Sequence, residues 1–189
     1  MLLRAVEEAK RGEGGPKHIL WVRAQDTPRN PKEIAATPEK VDKKRDRFLQ
    51  FHDQHTAGIP GLFPMYRGLK ARVTEKIAKG KRLTILKHTP CEVVGWDLHA
   101  GDRVHETGSE RLLNYLPNII YVYFPGATWQ VHSQLARGVF PLKAVTRVWE
   151  LNKATQTKVS RRGFTIVPNF ACTGFMTQGE TLEAELAWW

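Results

Sequence analysis

Cysteine is scarce: Cys91 and Cys172 are the only two in 189 residues. That excludes a disulfide framework and suits a reducing compartment. Long apolar runs are missing too, and none approaches the roughly 20 residues that a membrane-crossing helix needs. The opening Met-Leu-Leu-Arg-Ala-Val-Glu-Glu-Ala-Lys carries too many charges and too short an apolar stretch for a secretory leader. Acids are in deficit, 19 against 29 Lys and Arg, which leaves a net charge of +10. Such a surplus favours a polyanionic partner, nucleic acid before an acidic membrane, and no amphipathic helix supports the membrane. Phosphate-cradling loops are absent: there is no Gly-x-x-x-x-Gly-Lys-[Ser/Thr], and no Gly-x-Gly-x-x-Gly follows a strand. Autonomous ATP hydrolysis is therefore not expected. Neither a Gly-x-Ser-x-Gly elbow nor a His-Glu-x-x-His pair is present.

What the chain does have is enough apolar material, 41%, for a real core, spread along most of its length. Its positive charge is concentrated. Arg67 to Lys87 holds eight bases against Glu75 alone, a local balance of +7. Arg137 to Arg162 holds seven bases against Glu150, a balance of +6. Either window is compatible with a solvated strand face, but two in one small β region point to a phosphate-binding surface. Lys70, Arg72 and Lys76 are the candidate contacts in the first window.

Along the chain the pattern changes once. Residues 2–10 suit a short helix, which Gly12-Glu13-Gly14-Gly15-Pro16 must end. His18 to Ala24 is an apolar run of strand length that suits a buried parallel strand. Thr37-Pro38-Glu39 reads as a helix start, with Val41, Phe48, Leu49 and His52 on one side of that helix. So far this is strand, loop, helix, as in an α/β domain. From about Phe63 the period becomes 2: Leu69, Ala71 and Val73 alternate with Lys70, Arg72 and Thr74. Strands are expected at 82–87, 92–98, 118–124, 128–132 and 139–151, then at 163–168. Several short strands in about ninety residues suggest a small antiparallel barrel or curled sheet.

Two local constellations bear on chemistry. His52-x-x-His55 and His88-x-x-Cys91 share a two-residue spacer and could form a tetrahedral zinc site. Equally, the first pair could end a helix and the second flank a turn at Pro90. Trp96, Trp129, Trp149, Tyr121, Tyr123 and Phe124 are interleaved with the basic windows, as in surfaces that stack bases on rings. Strand aromatics are also ordinary core residues, and the sequence leaves both readings open.

The segment Phe170-Ala171-Cys172-Thr173-Gly174-Phe175-Met176-Thr177-Gln178-Gly179-Glu180-Thr181-Leu182 resembles the late motif of superfamily-1B DNA helicases of the petite-integration-frequency (Pif) type, relatives of RecD. Phe164 to Pro168 resembles the apolar strand before that motif. Ile19 to Asp26 is similar to the first strand of the family's second RecA-like domain. Gly61 to Glu75 is similar to its approach to an inserted small barrel. The resemblance implies an α/β fold, a partial RecA-like P-loop-NTPase-type domain with an inserted antiparallel β-barrel of Src-homology-3 type. After the N-terminal helix and flexible break read at 1–17, it implies RecA-like segments at 18–62 and 163–189, with the β-rich insertion at 63–162. It also implies that Thr173 and Thr177 face nucleic-acid phosphates and that Gln178 and Gly179 lie near ATP; separately, the histidine and cysteine spacing leads us to expect no metal site.

Departures from the family are specific. Its His-Lys pair is Phe175-Met176 here, and after Leu182 the chain runs Glu183-Ala184-Glu185-Leu186-Ala187-Trp188-Trp189 rather than into a buried strand. The first motor domain, with its phosphate loop and magnesium-binding acid, is missing. The resemblance thus implies a truncated helicase piece, inactive alone, with ATP and magnesium belonging to the complete helicase. Its implied partners are single-stranded or junction DNA, with RNA possible, and the missing motor domain; its implied place is intracellular, in nucleus or organelle. Two alternatives remain: an independent basic β module binding DNA or RNA without catalysis, and a structural or zinc-stabilised interaction protein.

Overall fold

A computed structural model describes residues 18–29, 46–79, 83–102, 110–152 and 157–169. In chain order the first strands are β1 (Ile19–Arg23), β2 (Gln25–Pro28), β3 (Leu62–Met65), β4 (Lys70–Val73) and β5 (Ala78–Lys79). They are followed by β6 (Thr84–Ile85), β7 (Pro90–Asp97), β8 (Glu110–Leu112) and β9 (Ile119–Tyr123). The last are β10 (Val139–Leu142), β11 (Val145–Asn152), β12 (Thr157–Gly163) and β13 (Ile166–Pro168). Helical structure among the described residues is limited to two single-turn 3-10 segments and a short helical stretch at 46–48.

The expected α/β RecA-like domain is not the fold; the regular structure among the described residues is almost all β-sheet. A RecA-like layer needs parallel strands joined through helices that cover both faces. β1 instead lies between β3, antiparallel with Leu20 opposite Met65, and β8, parallel with Leu20 opposite Arg111. An apolar run reports burial on two faces and says nothing about the direction of its neighbours. That is where the expectation failed.

The expected closed barrel is corrected as well. The largest sheet has the order β10-β9-β7-β4-β13, two others have three strands, β3-β1-β8 and β11-β12-β2, and β5-β6 is a separate two-strand ladder. Closure would require the edges β10 and β13 to pair, and among the described residues they do not. Pairings also cross the expected segment limits: β2 with β12, and β13 with β4. The helix expected to carry His52 inward ends at Phe48, and His52 is half exposed. Residues 128–132 form a loop, while 139–151 splits into two strands at Lys143-Ala144.

Alternation builds the main core. One face of the five-stranded sheet presents Ala71, Val73, Val93, Ile120, Val122 and Ile166, none of them exposed. A smaller cluster joins Phe48, Trp149 and Val159. Beside it lies Arg161, fully buried. Its Nε and Nη2 donate to Asp26 Oδ1 and Oδ2 at 2.8 Å each, Nη1 to the Ile59 carbonyl at 3.1 Å, and Nη2 to the Phe48 carbonyl at 2.6 Å. The guanidinium also lies 5.4 Å from the Trp149 ring centre. A bidentate carboxylate and two carbonyls satisfy most of the five N–H groups, which is what burial of this charge demands.

Asp102 does similar work at another corner. Its carboxylate is buried and accepts from Tyr115 N at 2.7 Å, and from Asn114 N and Nδ2 at 3.1 Å each. Arg111 adds an ion pair at 3.2 Å. Nearby, His99 and Tyr115 stack with ring centres 4.4 Å apart.

Candidate nucleic-acid interface

The register of the five-stranded sheet fixes which side chains share its outward face. Lys70 stands opposite Glu92, Glu92 opposite Tyr123, and Gly95 opposite Tyr121. Antiparallel partners point to the same side, so these residues lie away from the core set. Lys70 is the most exposed and forms an ion pair with Glu92. One cross-strand row therefore combines a base, an acid and a phenol.

Arg67 lies across this surface. Its Nη1 donates to the Val94 carbonyl at 2.8 Å, and its guanidinium carbon is 5.6 Å from the Trp96 ring centre. A methyl group added at Gly95 would sit 3.8 and 3.9 Å from the guanidinium nitrogens and 3.9 Å from the Tyr121 ring. A methyl group would make ordinary contact there, so Arg67 and Tyr121 flank Gly95 without depending on it. The neighbouring Val94 is a bulge in the β7–β9 ladder, which keeps Gly95 and Tyr121 in register.

The first basic window does not act as one patch. Lys76 and Lys87 are exposed. Arg72, expected with Lys70 and Lys76 as a phosphate contact, is 8% exposed, so it is set back from any surface ligand. Its register neighbour Val167 is buried too and lines an apolar groove of about 230 Å³ with Leu49 to Asp53. In the second window Arg161 is committed to Asp26, and Arg147 forks onto Glu75 at 3.0–3.2 Å. Arg137, Lys143, Lys158 and Arg162 stay exposed. Linear charge counts missed these pairings because the acids involved are 72 and 135 residues away.

The four candidate zinc ligands behave separately. His52 Nδ1 accepts from Gln54 N at 3.3 Å and lies 3.1 Å from Asp53 Oδ1. His88 sits in the turn before β7 with φ +71°; desolvation, then Lys87 and Arg72, holds its pKa below the usual histidine value against the opposing pull of Asp53. Cys91 points into the core, where burial pushes its thiol up to about 12. Among the described residues, no three His, Cys, Asp or Glu side chains converge as metal ligands. Thr173, Thr177, Gln178 and Gly179 lie outside the described residues.

Of the six flagged aromatics, Trp149 and Phe124 are core, and Trp96 and Trp129 pack against it. Tyr121 and Tyr123 alternate with the buried Ile120 and Val122 and stay partly exposed. A polar cleft of about 350 Å³, with Arg23, Gln25, Asp46 and Asn114 in its walls, lies elsewhere, beside Asp26.

No family model matches the chain, and no curated protein matches it in sequence. Among solved structures it is similar to the Pif1 helicase from Candida albicans, with a TM-score of 0.50 and 12% identity. The likeness extends over 95% of this chain and 34% of that one, so the chain spans about a third of the helicase's length. At that identity the shared property is the fold.

Proposed function

We propose that the chain is the C-terminal piece of a Pif-type DNA helicase of superfamily 1B, supplying single-strand contacts and one side of an ATP cleft without hydrolysing ATP by itself. The observation that carries this reading is the overlap of nearly the whole chain with one third of a Pif1 helicase. The ordered sequence resemblance over residues 18–185, ending in Gln178-Gly179, supports the same origin independently. Lys70 and Lys76, exposed on or beside the largest sheet, are the phosphate contacts on this reading, with Thr173 and Thr177 as a second set. Gln178 and Gly179 would approach ATP and its magnesium, which the resemblance assigns to a complete motor. ATP would supply the energy for movement along a strand; this chain's own part is to hold the strand.

Mixing the chain with a separately produced phosphate-loop motor domain tests the assignment. Phosphate release stimulated by single-stranded DNA should appear in the mixture and in neither part alone. A second reading, an independent basic β module, draws on the sheet architecture, which lacks a motor's helical layers among the described residues. It predicts DNA binding by the chain with no activity in the mixture.

A further inference from the structure

We infer that the outward face of the five-stranded sheet at Tyr121 and Tyr123, with Arg67 beside them, is a stacking platform for the bases of a single-stranded polynucleotide. The inference rests on the proposed single-strand binding and names the surface that performs it. Both tyrosines stand on β9, a central strand whose intervening Val122 is fully buried. Alternation puts the two rings about 7 Å apart on one face, room for successive bases of an extended strand. Neither ring belongs to the set packed against the core, whereas Trp96, Trp129 and Phe140 do.

Tyr123 covers Gly138, just before β10, while core packing gives no reason for the Tyr121 ring. β propensity favours tyrosine in strands, and Arg67, with its guanidinium carbon 5.6 Å from the Trp96 ring centre, brings a planar cation to the Gly95–Tyr121 side of the same sheet. Arg67 is held in place through one N–H on the Val94 carbonyl and lies over Gly95. A planar cation seated beside a phenol ring offers a base both a stacking surface and a charge for its phosphate.

Charge selects the occupant. Lys70 extends from the Tyr123 row, Arg137 precedes β10, and Lys143 follows it, all exposed. Glu92 in the row is neutralised by Lys70, and Asp97 stands at the far end of the face, opposite Ile119. A polyanion with flat apolar groups fits this face; an acidic peptide would meet the charge but leave the rings unused.

The test is fluorescence anisotropy with labelled oligothymidylate and an abasic strand of equal length, whose phosphates are the same. Wild-type protein should prefer the base-bearing strand. Tyr121→Ala and Tyr123→Ala should each weaken that binding roughly 5- to 150-fold, and Phe at either position should keep it. Tyr→Leu variants, which retain apolar bulk, should behave like Ala. Equal wild-type affinity for the two strands would overturn the platform, without need of any variant. So would unchanged binding by folded Ala or Leu variants. In both cases single-strand binding itself survives. No binding of either strand by wild-type protein would instead remove the proposed function and the platform together.

Discussion

Two buried acids carry much of the specific information in this molecule, and both can be tested singly. Asp26 neutralises Arg161, whose side chain has no exposure to solvent. Replacing Asp26 with Ala leaves that guanidinium uncompensated and should cost about 3–5 kcal/mol in urea unfolding. Removing both charges with apolar residues of similar volume should cost far less. Asp102 gives a pH signature. Burial disfavours its charged form, but hydrogen bonds from Tyr115 and Asn114 and the charge of Arg111 outweigh it and hold the pKa below the ordinary value. A depressed carboxylate stabilises the fold above its unfolded pKa, about 3.9, and that contribution disappears as pH falls through the lower folded value. Asp102→Asn should therefore be less stable than wild type at neutral pH, with the difference narrowing below about pH 4. Melting curves across that range check it. Cys91, with its thiol at about 12, should resist iodoacetamide at pH 8 in a Cys172→Ser background and react once urea unfolds the chain.

At the scale of elements, the positions that tolerate no side chain mark where segments cross. A Cβ on Gly61 would lie 2.3 Å from the Leu49 carbonyl oxygen and 2.5 Å from its Cα. Both are backbone atoms, so the end of the helical segment and the start of β3 would have to separate. Gly61→Ala should lower stability by roughly 1–3 kcal/mol, read as a fall in Tm, because overpacking against backbone has little room to relax. How far these elements were legible follows from what each pattern encodes. The period of 2 around Ala71 and Val73 marked β4, and the runs at 92–98 and 118–124 found β7 and β9, since one face of each is buried. Thr128 to His132 has the same composition, but Trp129 packs onto the core from a loop, and its backbone pairs with no strand. β2, β8 and β12 were missed, being polar and short of the apolar alternation that marks a strand. The six aromatics were visible from the start. Which two face outward depends on sheet register, and that is a property of pairs of strands that no single segment states.

For the molecule as a whole, the basic excess matters through the charges that remain at the surface. Binding to single strands should weaken with salt, with a slope of about −0.7 per phosphate neutralised. Substituting Lys70 and Lys76 together by Ala should flatten that slope by about 1.4 units if each meets one phosphate. An unchanged slope would move the phosphate track to the Lys158–Arg162 side, where the second sheet exposes its bases. Adding Arg72→Ala to the pair should leave the slope where the double variant puts it, since Arg72 is buried.

The Arg161–Asp26 pair also bears on how the chain comes off the ribosome. Its two members are separated by 135 positions. At roughly 5–20 residues per second, Asp26 emerges some 7–27 s before the cation that will cover it. Throughout that interval the carboxylate is better hydrated than buried, so β2 has no reason to dock early. Folding of that corner is then gated by synthesis of β12, and a chain stalled before it would display an unpaired β2 edge to whatever strand came near.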